Sequence, residues 1–111
     1  CLLEVKSVNL VVDGEARFPD APTVRGTKHV RELTRYQQEG GQSAIVFIVM
    51  RQDAKRFAPN TATDPEFAQA LAEAAAAGVF IRVYRCGIDT EGVSFAGRIE
   101  AVQLAPEVKE R

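Results

Sequence analysis

The chain opens on a strict alternation. In LLEVKSVNLVV, residues 2–12, Leu2, Glu4, Lys6, Val8 and Leu10 fall on one face and Leu3, Val5, Ser7, Asn9 and Val11 on the other. That period of two predicts a β-strand. Asp13-Gly14 is a turn signal. EARFPDAP, with Pro19 close to Pro22, reads as an ordered loop or a short extended piece. From about Thr23 to Glu39 the spacing becomes helical. Val24, Val30, Leu33 and Gln37 share one side, and Arg25, Lys28, His29, Glu32 and Tyr36 share another. Pro22 precedes this helix and Gly40-Gly41 stops it. Gly26 is out of place inside it, because glycine there costs about 1 kcal/mol against alanine. Close approach of the backbone to the sheet or to DNA is the expected reason.

SAIVFIVM, residues 43–50, is apolar on both faces and β-branched, the pattern of a central strand covered on both sides. RQDAKRFAPNTAT is a polar connection, pinned over the core by Phe57 and Pro59. Asp64-Pro65 starts a second helix as N-cap and first-turn proline. Phe67, Leu71, Ala74 and Ala75 form its buried stripe, and Gly78 ends it. VFIRVYRC, residues 79–86, is the next strand. Strand, helix and strand over 43–86 make a βαβ unit with parallel strands and a right-handed crossover. Residues 2–50 allow a second such unit. GVSFAGRIEAVQL adds an edge strand, and the charged tail PEVKER frays. No internal repeat or low-complexity linker interrupts the chain. The fold class is α/β, one mixed β-sheet flanked by helices, and 111 residues make one domain.

Composition narrows the function classes. The formal net charge is −1, so no strongly basic balance announces a nucleic-acid partner, and any basic patch must be local. Cys1 and Cys86 are far apart and lack metal-ligand spacing. They read as small buried hydrophobes of a reducing compartment. No apolar run approaches the roughly 18 residues of a membrane span, no secretory leader pattern is present, and a cytoplasmic location is expected. The chain begins without Met and inside a strand pattern, which leads us to expect the C-terminal part of a longer protein.

Glu4 and Lys6 carry the candidate chemistry. They share one strand face, roughly 6–7 Å apart. One reading is a solvated face with an ion pair contributing about 0–1 kcal/mol. The other is a metal-dependent phosphodiester site. There a carboxylate holds a hard divalent cation, Mg²⁺ or Mn²⁺. The cation makes a bound water nucleophilic. The lysine orients that water or stabilises charge developing on phosphoryl oxygens. Val5, between them, packs on the other face and offers its carbonyl to the metal. On this reading Glu4 and Lys6 point into a shallow polar cleft with Arg25 or His29 on its rim.

The surrounding residues carry a resemblance. Glu4-Val5-Lys6-Ser7-Val8, Phe18-Pro19-Asp20-Ala21, Arg25-Gly26, Lys28-His29-Val30, Arg51, Asp53-Ala54, Phe57 and Pro59 resemble the C-terminal domain of the sugar fermentation stimulation protein family (SfsA). The likeness extends through LAEAAAAGVFIRVYRCGIDTEGVSF and covers nearly the whole chain. Val30 stands where leucine is usual, a small volume change at a buried position. The resemblance implies a restriction-endonuclease-like, PD-(D/E)xK core whose N-terminal part lies outside this chain. It implies an upstream acidic residue that would share the metal with Glu4, and an N-terminal OB-like domain in full-length members. It also implies DNA binding linked to sugar utilisation, with nuclease activity inferred from the fold.

Arg25, Lys28 and His29, at i, i+3 and i+4 near a helix start, form a candidate nucleic-acid-binding cluster. The alternative is a solvated helix face with Glu32 as partner. Asp20 is either a second acidic metal ligand or a turn residue bonding the backbone. Arg51, ending the buried strand, is a further candidate phosphate contact. Three functions follow: a DNA-binding protein with a nuclease-like domain, an active Mg²⁺- or Mn²⁺-dependent DNA nuclease, and a non-enzymatic protein-interaction domain.

Overall fold

The alternating run at the start of the chain is two strands, not one. In a computed structural model describing residues 1–104, β1 spans Leu2–Val8 and β2 Leu10–Val12. The break at Asn9 sends them into different sheets. Period alone cannot reveal such a break, because both strands keep the same alternation. The remaining elements are β3 (Glu15–Phe18), α1 (Val24–Gln38), β4 (Ser43–Val49), β5 (Arg56–Pro59), α2 (Pro65–Ala77), β6 (Phe80–Asp89) and β7 (Gly92–Arg98). The tail Pro106–Arg111 lies outside the described residues.

The larger sheet has the order β1-β4-β6-β7. β1, β4 and β6 are parallel, and β7 closes antiparallel on β6 as the edge strand. Both predicted βαβ units are therefore present. The smaller sheet, β2-β3-β5, was not expected. Its hairpin turns through Asp13 and Gly14, both at positive φ (51° and 80°), the signature of the tight primed turns that suit right-twisted strands. The stretch expected to be a polar connection contributes β5, parallel to β3. The chain after β7 does not prolong the edge strand. It returns to β5, with Phe57 bonding Ala101 and Gln103 through its backbone.

Caps fix both helices where the sequence placed them. Thr23 Oγ1 accepts from Gly26 N–H at α1, and Asp64 Oδ1 accepts from Phe67 N–H at α2. Gly78, at φ 102°, ends α2 in the left-handed region. The reason for Gly26 is local. A Cβ there would lie 2.8 Å from Thr23 Cγ2 and 2.9 Å from its Oγ1. The N-cap side chain occupies that space; neither sheet nor DNA is needed to explain it.

Both helices cover one face of the larger sheet. Val30 and Leu33 of α1, Phe67, Leu71 and Ala74 of α2, and Ile45, Phe47, Val49 and Val83 of the sheet form one buried cluster. Phe47 lies at its centre, 4.6 Å from the Phe57 ring and 5.5 Å from that of Phe18, in the tilted packing that aromatic quadrupoles favour. No helix among the described residues covers the opposite face. Ala44, Val46 and Ile48 are only half-buried, and Leu3, Val5 and Phe80 are exposed. The expectation of a central strand covered on both sides is corrected here, because α1 and α2 pack together on the other side. Two smaller expectations change as well. Val24, which shares a helix side with buried Val30 and Leu33, is 86% exposed because it sits in the first turn, ahead of the sheet contact. Cys1 is exposed, and only Cys86 is buried.

Candidate metal and phosphate site

The β1–β4 register explains the two charges in the first strand. Glu4 pairs with Ile45, Lys6 with Phe47 and Val8 with Val49, so all three β1 residues face the same side as the core. Val8 reaches the interior and is buried. Glu4 and Lys6 lie at the margin, on the outermost strand of the sheet, half-buried. A strand that enters a core gradually can carry charge on its first half without burying it unpaired.

α1 packs against both β1 and β4, which brings His29 over this pair. Lys6 Nζ lies 3.3 Å from His29 Nδ1, and the same ring nitrogen lies 3.7 Å from Glu4 Oε2. The side chains of His29 and Glu4 are 25% and 33% exposed. Three groups from two elements, 23 residues apart along the chain, thus meet at one place. All three groups are half-buried. Surface grooves include one between α1 and α2, lined by Arg31, Arg35 and Glu73, and another lined by Met50, Arg51 and Gly87.

The other candidates separate. Arg25 and Lys28 are exposed on α1, and their side chains make no ion pair or hydrogen bond among the described residues. No acidic residue stands in the first turn of α1. His29 turns inward from them. Arg51 is engaged with Asp53, at 3.0 Å through Nε and 2.6 Å through Nη2. That guanidinium holds the Asp53 carboxyl below its ordinary value of 3.8. Asp20 is exposed, and nothing in the described contacts joins it to Glu4. The role of Asp64 is wider than the single cap expected, since its second oxygen accepts from Thr23 N–H at 2.8 Å.

The described residues contain no group of three His, Cys, Asp or Glu side chains placed to hold a metal ion. Glu4 supplies one carboxylate, accessible and free of any lysine or arginine pair among the described residues. A hard cation takes six or more oxygens. Among the described residues Glu4 alone does not make such a cage.

Comparison with known proteins places this geometry. The family model for the sugar fermentation stimulation protein RE domain matches residues 1–92. A sugar fermentation stimulation protein homolog from Moorella thermoacetica is 55% identical over 94 residues, covering 85% of this chain and 40% of that protein. One from Desulforamulus reducens is 52% identical over 93 residues, covering 84% and 39%. The solved structure of Pyrococcus furiosus SfsA in complex with Ca²⁺ superimposes with a TM-score of 0.86 at 34% identity, over 91% of this chain and 44% of that one. The chain thus spans about two-fifths of the length of these relatives. The fold is restriction-endonuclease-like.

Proposed function

The chain belongs to the sugar fermentation stimulation protein family, and on that premise we propose that it is the nuclease-like part of a DNA-binding protein that acts in the cytoplasm on genes of sugar utilisation. The single observation that carries the DNA reading is the placing of Arg25 and Lys28. Among the described residues these two cations near the start of α1 make no ion pair, and no acidic residue stands in the helix's first turn. The helix N-terminus is already partially positive, so a cation in its first turn, such as Arg25, is unfavourable by about 0.3–1 kcal/mol. A phosphate bridging both would remove that cost and would accept hydrogen bonds from them. In the full-length protein an N-terminal OB-like domain supplies most of the DNA contact. No helix among the described residues is long and apolar enough to cross a membrane. Filter binding of duplex DNA to a full-length protein carrying this domain is the test. Affinity indifferent to salt between 50 and 200 mM, on the order of a typical titration range, would refute the phosphate contact.

A second reading, an active phosphodiesterase, is favoured by the state of Glu4. Among the described residues its carboxylate makes no direct ion pair with Lys6, so it can hold Mg²⁺ or Mn²⁺ together with the upstream acid, the Val5 carbonyl and water. The Ca²⁺ bound by the Pyrococcus furiosus relative supports a divalent cation. When bound, the cation would polarise a phosphoryl oxygen and activate water. The work of this chain is to supply one ligand arm at Glu4 and an ammonium at Lys6, whose charge is best used where negative charge develops. Incubating the full-length protein with single- and double-stranded DNA and Mg²⁺ or Mn²⁺ decides between the readings. Cleavage lost in Lys6→Ala supports the second; no cleavage leaves the DNA-binding reading alone.

A further inference from the structure

Two opposite charges two residues apart on a strand face are within reach of each other. The four-carbon stem of lysine readily spans roughly 6–7 Å. Here they do not pair: among the described residues Lys6 makes no ion pair with Glu4. The Lys6 ammonium lies against His29 Nδ1 at 3.3 Å, and Glu4 Oε2 is 3.7 Å from that same nitrogen. An ammonium has three donors and no acceptor. His29 therefore meets it with the Nδ1 lone pair, and the ring proton belongs on Nε2.

We propose that His29 is a positioning residue for Lys6: by accepting from its ammonium through Nδ1, it holds Lys6 off the Glu4 carboxylate and leaves that carboxylate open to a cation. The first half of this inference stands on contacts alone. The second rests on the reading of Glu4 as a cation ligand. The histidine suits the task because its place is over-determined. It sits one residue before buried Val30, on a helix whose start is held by Thr23 Oγ1 and, through the Thr23 backbone, by Asp64. Its side chain has two rotatable bonds against four in lysine, so the stiff partner sets the position of the flexible one. Without the ring, the nearest acceptor for Lys6 on its own strand face is Glu4. The two functional groups would then neutralise each other.

His29 is the only histidine in the chain, so its ring nitrogens report without interference. In the ¹⁵N-labelled 111-residue chain, at one pH above the ordinary histidine range, we expect Nδ1 unprotonated and the Nε2–H tautomer favoured by about tenfold or more. In Lys6→Met the ratio should relax toward that of a free imidazole. An identical ratio in both proteins would overturn the contact. The separation of Lys6 from Glu4 has its own reading. A nuclear Overhauser effect between the Lys6 ε-methylene and the Glu4 γ-methylene should be absent in the wild type. It should appear in His29→Ala and be absent again in His29→Asn, whose Oδ1 stands in for Nδ1. The same signal in wild type and His29→Ala would sink the positioning role, even with both proteins folded. Mn²⁺ titration of a full-length relative tests the metal reading separately. No uptake there removes the cation from the site, while the tautomer ratio still decides the Lys6–His29 contact.

Discussion

Asp64 and Thr23 cap two different helices and are bonded to each other. One oxygen of the Asp64 carboxylate accepts from Phe67 N–H at the start of α2 and the other from Thr23 N–H, at 2.8 Å, just ahead of α1. Thr23 in turn caps α1 through Gly26 N–H. A single buried carboxylate thus sets the origin of both helices, and with it the position of His29 over β1. Asp64→Ala should cost about 2–3 kcal/mol, a lost cap plus a second donor left without its partner. Asp64→Asn, which keeps one acceptor, should cost about half that. Urea unfolding with unchanged m-value is the check; equal losses would mean that only one of the two bonds matters.

Gly26 and Thr23 should couple. Alanine at position 26 gains roughly 1 kcal/mol of helix propensity but meets the Thr23 side chain at 2.8 Å, costing the cap about as much. Gly26→Ala alone should therefore be near neutral. In a Thr23→Ala background, where the two nearest atoms are gone, it should stabilise. The double-mutant cycle should show an interaction of about 1 kcal/mol, and additivity would show that the cap can move aside freely.

Arg51 can serve phosphate only by leaving Asp53. The Asp53 carboxyl is held down chiefly by its hydrogen bond from Arg51. A depressed carboxyl keeps its pair above the ordinary carboxylate range and loses it as pH falls through the lowered value. The carboxyl ¹³C resonance of Asp53 should titrate below that of a free aspartate in wild type and move upward in Arg51→Ala. Because Asp53 is exposed, unfolding stability should barely follow that titration.

For the full-length protein on DNA, Lys28→Ala and Arg25→Ala should each weaken binding to all sequences about equally. Each should also make the slope of log affinity against log salt shallower by about 0.9. Slopes identical to wild type would return both residues to a solvated helix face.

Mn²⁺ titrated calorimetrically into this chain should bind weakly or not at all, since Glu4 stands without two further ligand side chains among the described residues. A full-length member should bind it measurably, and Glu4→Gln should abolish that binding with the fold intact. Lys6→Ala should spare it or strengthen it by removing a nearby positive charge. Binding that survived Glu4→Gln would move the site elsewhere, with Asp20 the next residue to replace.

Some of this was legible in residue order alone, because its physics is local. Period-two alternation marked the opening strand, and a β-branched run apolar on both faces marked β4. Helical spacing with Pro22 and Gly40-Gly41 placed α1, and the Asp64 cap with Gly78 placed α2, each to within a residue. The shared face of Glu4 and Lys6 followed from strand parity. Other features depend on which elements meet, and no local pattern encodes that. The break at Asn9 and the second sheet exist because β3 and β5 find each other 41 residues apart, Glu15 opposite Arg56. Val46 and Ile48 are as apolar as Ile45 and Phe47, yet only the latter are buried, because α1 and α2 chose one side. The partner of Lys6 was the last to be decided. Sequence spacing put His29 beside Lys28 and Arg25, but 100° per residue around the helix turns neighbours to different sides, and the packing of α1 on β1 gave its ring to Lys6.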